Sequence, residues 1–416
     1  GNLVLGNAAT DTLSFAGGLT ATAPAAISVA GSLGTTNAAM SLGDNNTALT
    51  LTANVTLNTT GGNLTLGGAV NGTTANTESL SLNAGTTGAV SVTGAVGQST
   101  SLKTLTLSNS YGATFSSPVS TGTSVVLSDT VAGQVVRFAD NLSTPTLTTT
   151  AHGYHLELLG SAISITDTGA ATTFLHTGNL VLGNAATDTL SFAGGLTATA
   201  PNTVSAGGVI STQNASITLG STALTLNANT SLSAGSGDIT FSSTVDSAAG
   251  TTQALSVNST GVTSFQNKVG FTDALASLTT NTGGSLVMNA GSITTTGQQT
   301  YGEAITLGQA TTLNAGAGHV TFSSTVDGGF DLTINTTGIT RLDADVGALT
   351  PLMNVTTNAG GMVLVDASVI HTTGTQTYND MVSLLRHATL TGSEVTFNAA
   401  AMGTGDLNVV GAVVLN

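Results

Sequence analysis

The chain has 416 residues, 40% of them apolar, with 53 glycines, 5 Lys and Arg, 20 Asp and Glu, and a formal net charge of -15. The five basic residues, Lys103, Arg137, Lys268, Arg341 and Arg386, cannot neutralise a row of phosphates, which excludes nucleic acid and anionic membrane surfaces as partners. Scarcity of Glu, Lys, Arg and Gln argues against long helices, absence of cysteine excludes disulfides and thiolate sites, and no run of 18 apolar residues offers a transmembrane segment.

Short alternating stretches begin at once: Leu3 and Leu5, Leu13 and Phe15, Ile27 and Val29, Met40 and Leu42, Leu49 and Leu51, Val55 and Leu57. Alternation places these side chains on one face of a strand, with Thr, Ser and Asn on the other. Turn-forming segments such as GDNN at Gly43 and TTGGN at Thr59 separate them. The pairs Val55/Leu57, Leu80/Leu82 and Leu105/Leu107 recur every 25 residues, and Leu66, Val92 and Phe115 follow at 26 and 23, as do Val70, Val96 and Val119. This rhythm predicts an all-β parallel β-helix, or β-solenoid, with coils of roughly 20 to 26 residues and about three short strands in each. Between Ser120 and His176 the pattern loosens. It returns with Ile239/Phe241, Val245, Leu255/Val257, Phe265, Val269, Leu275 and Leu278.

Longer repeats overlie the coil rhythm. GNLVLGNAATDTLSFAGGLTATAP occurs at Gly1 to Pro24 and, letter for letter, at Gly178 to Pro201. A 77-residue repeat relates TTGQQTYGEAITLGQATTL from Thr295 to TTGTQTYNDMVSLLRHATL from Thr372. The same offset relates STGVTSFQNKVGFTDALASLTTNTGG from Ser259 to TTGITRLDADVGALTPLMNVTTNAGG from Thr336. These offsets equal whole numbers of coils, about three and about seven, so the expectation is one continuous solenoid of about 18 coils without linkers. Its repeat units are 1–177, 178–353 and a partial 354–416. The five prolines avoid the middles of the alternating strands, so none interrupts a ladder. Tandem immunoglobulin-like β-sandwiches are the alternative. They are disfavoured by the absence of Trp and of a Tyr recurring in each unit.

The motif T-G-x-Q-T-Y-x3-[VI]-x-L, present as TGQQTYGEAITL and TGTQTYNDMVSL, resembles the very large repetitive surface proteins of Gram-negative bacteria. So does V-G-x4-L-x2-[LV], present as VGQSTSLKTL at Val96, VGFTDALASL at Val269 and VGALTPLMNV at Val346. The chain is similar to filamentous-haemagglutinin-like adhesins and autotransporter passengers. That resemblance implies a secreted β-solenoid at the cell surface or outside the cell, serving as a rigid fibre or adhesin stalk in adhesion, biofilm or filament formation. It implies self-association, end to end or lateral, or a host or cell-surface ligand as partner. Because the chain starts inside a repeat and ends on a strand pattern, it reads as a slice of a longer protein.

A solenoid polysaccharide lyase or hydrolase is the competing class, and it requires clustered carboxylates. Asp343 and Asp345 beside Arg341, with Asp327 and Asp331 about one coil earlier, are the best such group. In the matching repeat the positions from Gln266 to Lys268 carry no carboxylate, so a solvated outer face is the preferred reading. His152, His155 and Glu157 form a possible ligand set whose spacing is not diagnostic, and His371 and His387 stand alone. Asn83, Asn289, Asn314, Asn335 and Asn358 recur at turns, where Asn side chains are expected to stack between coils. Outward Thr runs, LTLT at Leu49 and LTTNT at Leu278, are too irregular for the ice-binding face they otherwise suggest. The sequence therefore assigns no catalytic, cofactor-binding or metal-binding residue, no cofactor and no enzymatic activity.

Overall fold

Strand after strand in the chain is only three or four residues long, and Gly, Asn, Ser and Thr commonly occupy the bends between them. A chain that turns this often can pair only with its own previous and next circuits. The computed structural model describes residues 1–220 and 222–416, and among them there is no helix. The chain divides into two compact units, Gly1–Gln213 and Asn214–Asn416. Both are built from β-solenoid coils, about 20 turns of about 21 residues in all. That is slightly more turns than the sequence suggests, because some circuits are tighter than its 25-residue rhythm: Ile305 follows its partner Leu286 after 19 residues.

In the first unit one inward row runs through Ile27, Leu49, Val70, Val96, Val119, Leu142, Ile163, Leu190 and Ile210, each in parallel register with the next. A second row contains Val55, Leu80, Leu105, Val125 and Leu147. The third contains Met40, Leu64, Val90, Ala113, Val136, Leu156, Leu180 and Val204. Registers predicted from the repeats at Val55/Leu80/Leu105, Leu66/Val92/Phe115 and Val70/Val96/Val119 are the registers observed. Uniformly parallel pairing also removes the sandwich alternative, which is built on antiparallel neighbours. The loosened stretch from Ser120 to His176 keeps the ladder, through strands such as Val135–Phe138 and His155–Leu158.

The second unit repeats the plan. One row passes through Ile217, Ile239, Thr263, Leu286, Ile305, Val326, Val346, Ile370 and Leu390. Another carries Leu232, Val257, Thr280, Tyr301, Phe322, Leu342, Val365 and Leu384. Stacking identical rows brings aromatic rings into register at the strand spacing itself. Phe241 lies over Phe265 and Phe115 over Phe138, both with ring centroids 4.7 Å apart and planes within 6°. The core is thus a set of columns, and almost every inward Leu, Val, Ile and Phe is buried.

The V-G motif has a mechanical explanation. Val96, Val269 and Val346 occupy inward rows, and the glycines after them turn with φ of 69°, 63° and 69°. A Cβ at Gly270 would sit 2.0 Å from the carbonyl oxygen of Thr294, and one at Gly347 2.1 Å from that of His371. Only glycine fits. The loop that follows is clamped from the coil before it. Asn71 Oδ1 accepts the Ser99 and Thr100 amides, Asp246 Oδ1 those of Thr272 and Asp273, and Asp327 Oδ1 those of Leu349 and Thr350 at 2.9 and 3.0 Å. Replacing Asp327 with Ala strips two amides of their acceptor. It is expected to cost about 1–3 kcal/mol, read as a lowered urea midpoint, whereas Asp327→Asn should retain most of the stability.

Candidate functional site

The four carboxylates singled out in the sequence do not form one site. Asp343 pairs with Arg341, Oδ1 to Nε at 2.5 Å, just past the end of the strand Ile339–Leu342 that carries the arginine. Asp345 Oδ1 accepts the Ser368 and Val369 amides at 2.8 and 2.9 Å, Asp331 accepts from Asn354 Nδ2 at 2.7 Å, and Asp327 is buried against the loop it clamps. Each is engaged with a different partner. The ion pair of Asp343 is partly exposed and contributes at most about 1 kcal/mol.

His152, His155 and Glu157 are likewise separated. His152 Nδ1 lies 3.1 Å from Asp129, His155 Nδ1 accepts the Asn179 amide at 2.7 Å, and Glu157 binds Arg137 in the register-matched position of the previous coil at 2.6 Å. No group of three or more His, Asp or Glu among the described residues is arranged to hold a metal ion. Asparagine stacking between coils occurs at one of the expected pairs, Asn335 Nδ2 to Asn314 Oδ1 at 2.9 Å. Asn83 and Asn358 instead accept backbone amides, of Gly85 and Thr336, and Asn289 donates to Gln266.

The unusual chemistry lies inside the coils. In each T-G-x-Q-T-Y segment the Gln and Tyr point inward and are fully buried. Gln299 Nε2 donates to the carbonyls of Ile293 and Asn314, at 3.3 and 3.0 Å, with the Thr295 hydroxyl at 3.2 Å, and its Oε1 accepts from the Tyr301 hydroxyl at 2.9 Å. One repeat later, Gln376 makes the equivalent bonds to Ile370 O and Thr391 O, and Tyr378 donates to it at 2.9 Å. The amide thus bridges successive coils at a corner, adding a second donor to the Asn314 and Thr391 carbonyls, which already accept the Thr295 and Thr372 amides. Burial keeps both phenols protonated.

Two acids follow these tyrosines, and sequence reasoning passed them over. Glu303 and Asp380, 77 residues apart, are each almost completely buried. Glu303 Oε1 accepts from the Thr263 hydroxyl at 3.2 Å, Thr280 lies beside the carboxyl, and burial pushes its pKa up to about 7. Asp380 Oδ1 accepts the Gly361 amide at 2.6 Å, and burial raises its pKa too. The available signal was position: both stand two residues after the motif tyrosine and two before an inward Ile or Val, so the strand alternation points them inward. His176 was missed as well. It is buried against Tyr154, ring centroids 5.3 Å apart, with Phe174 edge-on at 6.0 Å, and burial draws its pKa down to about 4, so the ring is neutral.

No protein-family model, no curated protein and no solved structure matches this chain. Fold and interior chemistry define its class: a β-solenoid repeat protein.

Proposed function

We propose that the chain is a structural segment of an exported bacterial surface protein, a stiff fibre or adhesin stalk outside the cell. One observation carries this reading. The side chains closest to a catalytic or metal-binding constellation, Asp327, Asp331, Asp343, Asp345, His155 and Glu157, are each engaged with a turn, a strand neighbour or the adjacent coil. Polar chemistry here maintains the ladder, and a ladder of this kind supplies reach and rigidity. The T-G-x-Q-T-Y and V-G motifs support the same reading through their resemblance to filamentous-haemagglutinin-like proteins.

Self-association is part of the proposal. Lateral or end-to-end association with a second copy of the chain follows from the same resemblance. Electron microscopy of the purified chain, with light scattering over a concentration series, tests both claims. Thin rods or filaments with an axial repeat of about 4.8 Å and a mass rising with concentration are expected. Compact particles, or cleavage of a polysaccharide panel that is lost in Asp343→Asn and Asp345→Asn, would replace this reading with the enzymatic one.

A further inference from the structure

The two buried acids occupy equivalent places with different outcomes. Thr263, Leu286 and Ile305 stack in one inward row, and Thr340, Val363 and Val382 stack in the same way 77 residues later. Glu303 precedes Ile305 by two residues, as Asp380 precedes Val382. In the first cluster Glu303 Oε1 reaches Thr263 directly and the Thr280 hydroxyl accepts the Gly302 amide at 3.2 Å, which leaves Glu303 Oε2 as the one oxygen of that cluster without a partner. In the second cluster the acid is one methylene shorter. Thr340 Oγ1, Thr357 Oγ1 and Asp380 Oδ2 are all buried without a hydrogen-bond partner. Thr357 lies close enough to the carboxyl to favour its ionised form, yet outside hydrogen-bonding geometry. Asn379, which replaces Gly302, directs its Nδ2 to the Thr357 carbonyl at 2.6 Å and leaves the hydroxyl alone.

We propose that the Asp380 cluster is a binding site for one internal water molecule, held by Asp380 Oδ2, Thr340 Oγ1 and Thr357 Oγ1, whereas in the preceding repeat the longer Glu303 reaches Thr263 itself and leaves a single unpartnered oxygen, too few to hold a water. Three orphaned oxygens on three inward side chains match the coordination of a buried water, which makes about three hydrogen bonds. They fall well short of the six to eight oxygens a calcium ion takes. Water also meets the mixed demand of the site. It donates to the carboxylate oxygen and one hydroxyl while accepting from the other hydroxyl. Leaving three such groups unbonded would cost more than immobilising one water.

A crystal structure of the full chain at a resolution that shows ordered water, with the Asp380→Glu variant beside it, tests the site. One peak within hydrogen-bonding distance of Asp380 and Thr340 is expected in the wild type, with none beside Glu303. In Asp380→Glu the peak should vanish, the new carboxyl should reach Thr340, and the melting temperature should be equal or higher. No peak in the wild type, or a peak that persists beside the longer acid, overturns the proposal. Melting in sodium, potassium and calcium chloride at constant ionic strength distinguishes the ligand. No ion preference is expected, and a selective rise that Asp380→Asn abolishes makes the occupant a cation and overturns the assignment to water.

Discussion

Gln299→Leu is expected to destabilise the second unit by about 2–4 kcal/mol, a large drop in urea midpoint for an uncharged substitution of similar size. Leucine supplies neither of the functions of the amide. The Ile293 and Asn314 carbonyls lose the side-chain amide, though Asn314 keeps the Thr295 N–H, and the Tyr301 hydroxyl loses its acceptor in a region without solvent. Each stranded group carries its own desolvation penalty, so the loss exceeds the net value of one hydrogen bond. Adding Tyr301→Phe removes the stranded hydroxyl, and the double variant should recover about 1 kcal/mol relative to Gln299→Leu alone. Gln376→Leu with Tyr378→Phe should reproduce the result one repeat later, because the bonds are the same. Equal stability of Gln299→Leu and wild type would mean that the amide is not what joins the coils at this corner.

The ladder was legible because one period controls it. An inward residue must sit above an inward residue, so pairs such as Leu57/Leu82 and Val92/Phe115 repeat in sequence at the distance that brings them together in space. Burial does not follow from the local sequence in the same way. Leu13 and Phe15 in the first copy of the opening motif are partly exposed, while the identical Leu190 and Phe192 are buried. Leu190 stacks between Ile163 and Ile210, whereas Leu13 is in register with Leu33 on one side. Neighbouring coils decide burial, and neighbours are not visible in a single segment.

The polar chemistry was harder to read for a related reason. Acidic residues were judged by charge and proximity in sequence, which favours Asp343 and Asp345, yet the decisive quantity is the strand face. Glu303 stands two positions from Tyr301 and two from Ile305, both inward, so its side chain is committed to the interior even though it follows a glycine at a bend. The V-G loops show the opposite case: their family-like spacing was evident, but the clamp from Asp246 or Asp327 joins residues more than 20 positions apart and has no local signature.

Glu303 should make the second unit less stable as pH rises from about 4.5 to about 7, and Glu303→Gln should remove that dependence. The carboxyl ionises near 4.5 in the unfolded chain and near 7 in the folded one, because burial disfavours the charge more than the Thr263 and Thr280 hydroxyls favour it. Between these values the folded state holds a proton that the unfolded state has released, so raising the pH favours unfolding. Below about 4.5 both states are protonated and the penalty is absent; above about 7 both are ionised and it is complete. The difference is on the order of 2–3 kcal/mol at pH 8. Glutamine keeps the shape and the acceptor for Thr263 but cannot ionise. The variant is therefore expected to match the wild type at pH 4.5 and to exceed it at pH 8, with urea midpoints measured at half-unit steps between. Other carboxylates titrate equally in both proteins and cancel in the comparison. Parallel curves across the range would place the Glu303 carboxyl in contact with water and remove it from the list of buried charges that the solenoid tolerates.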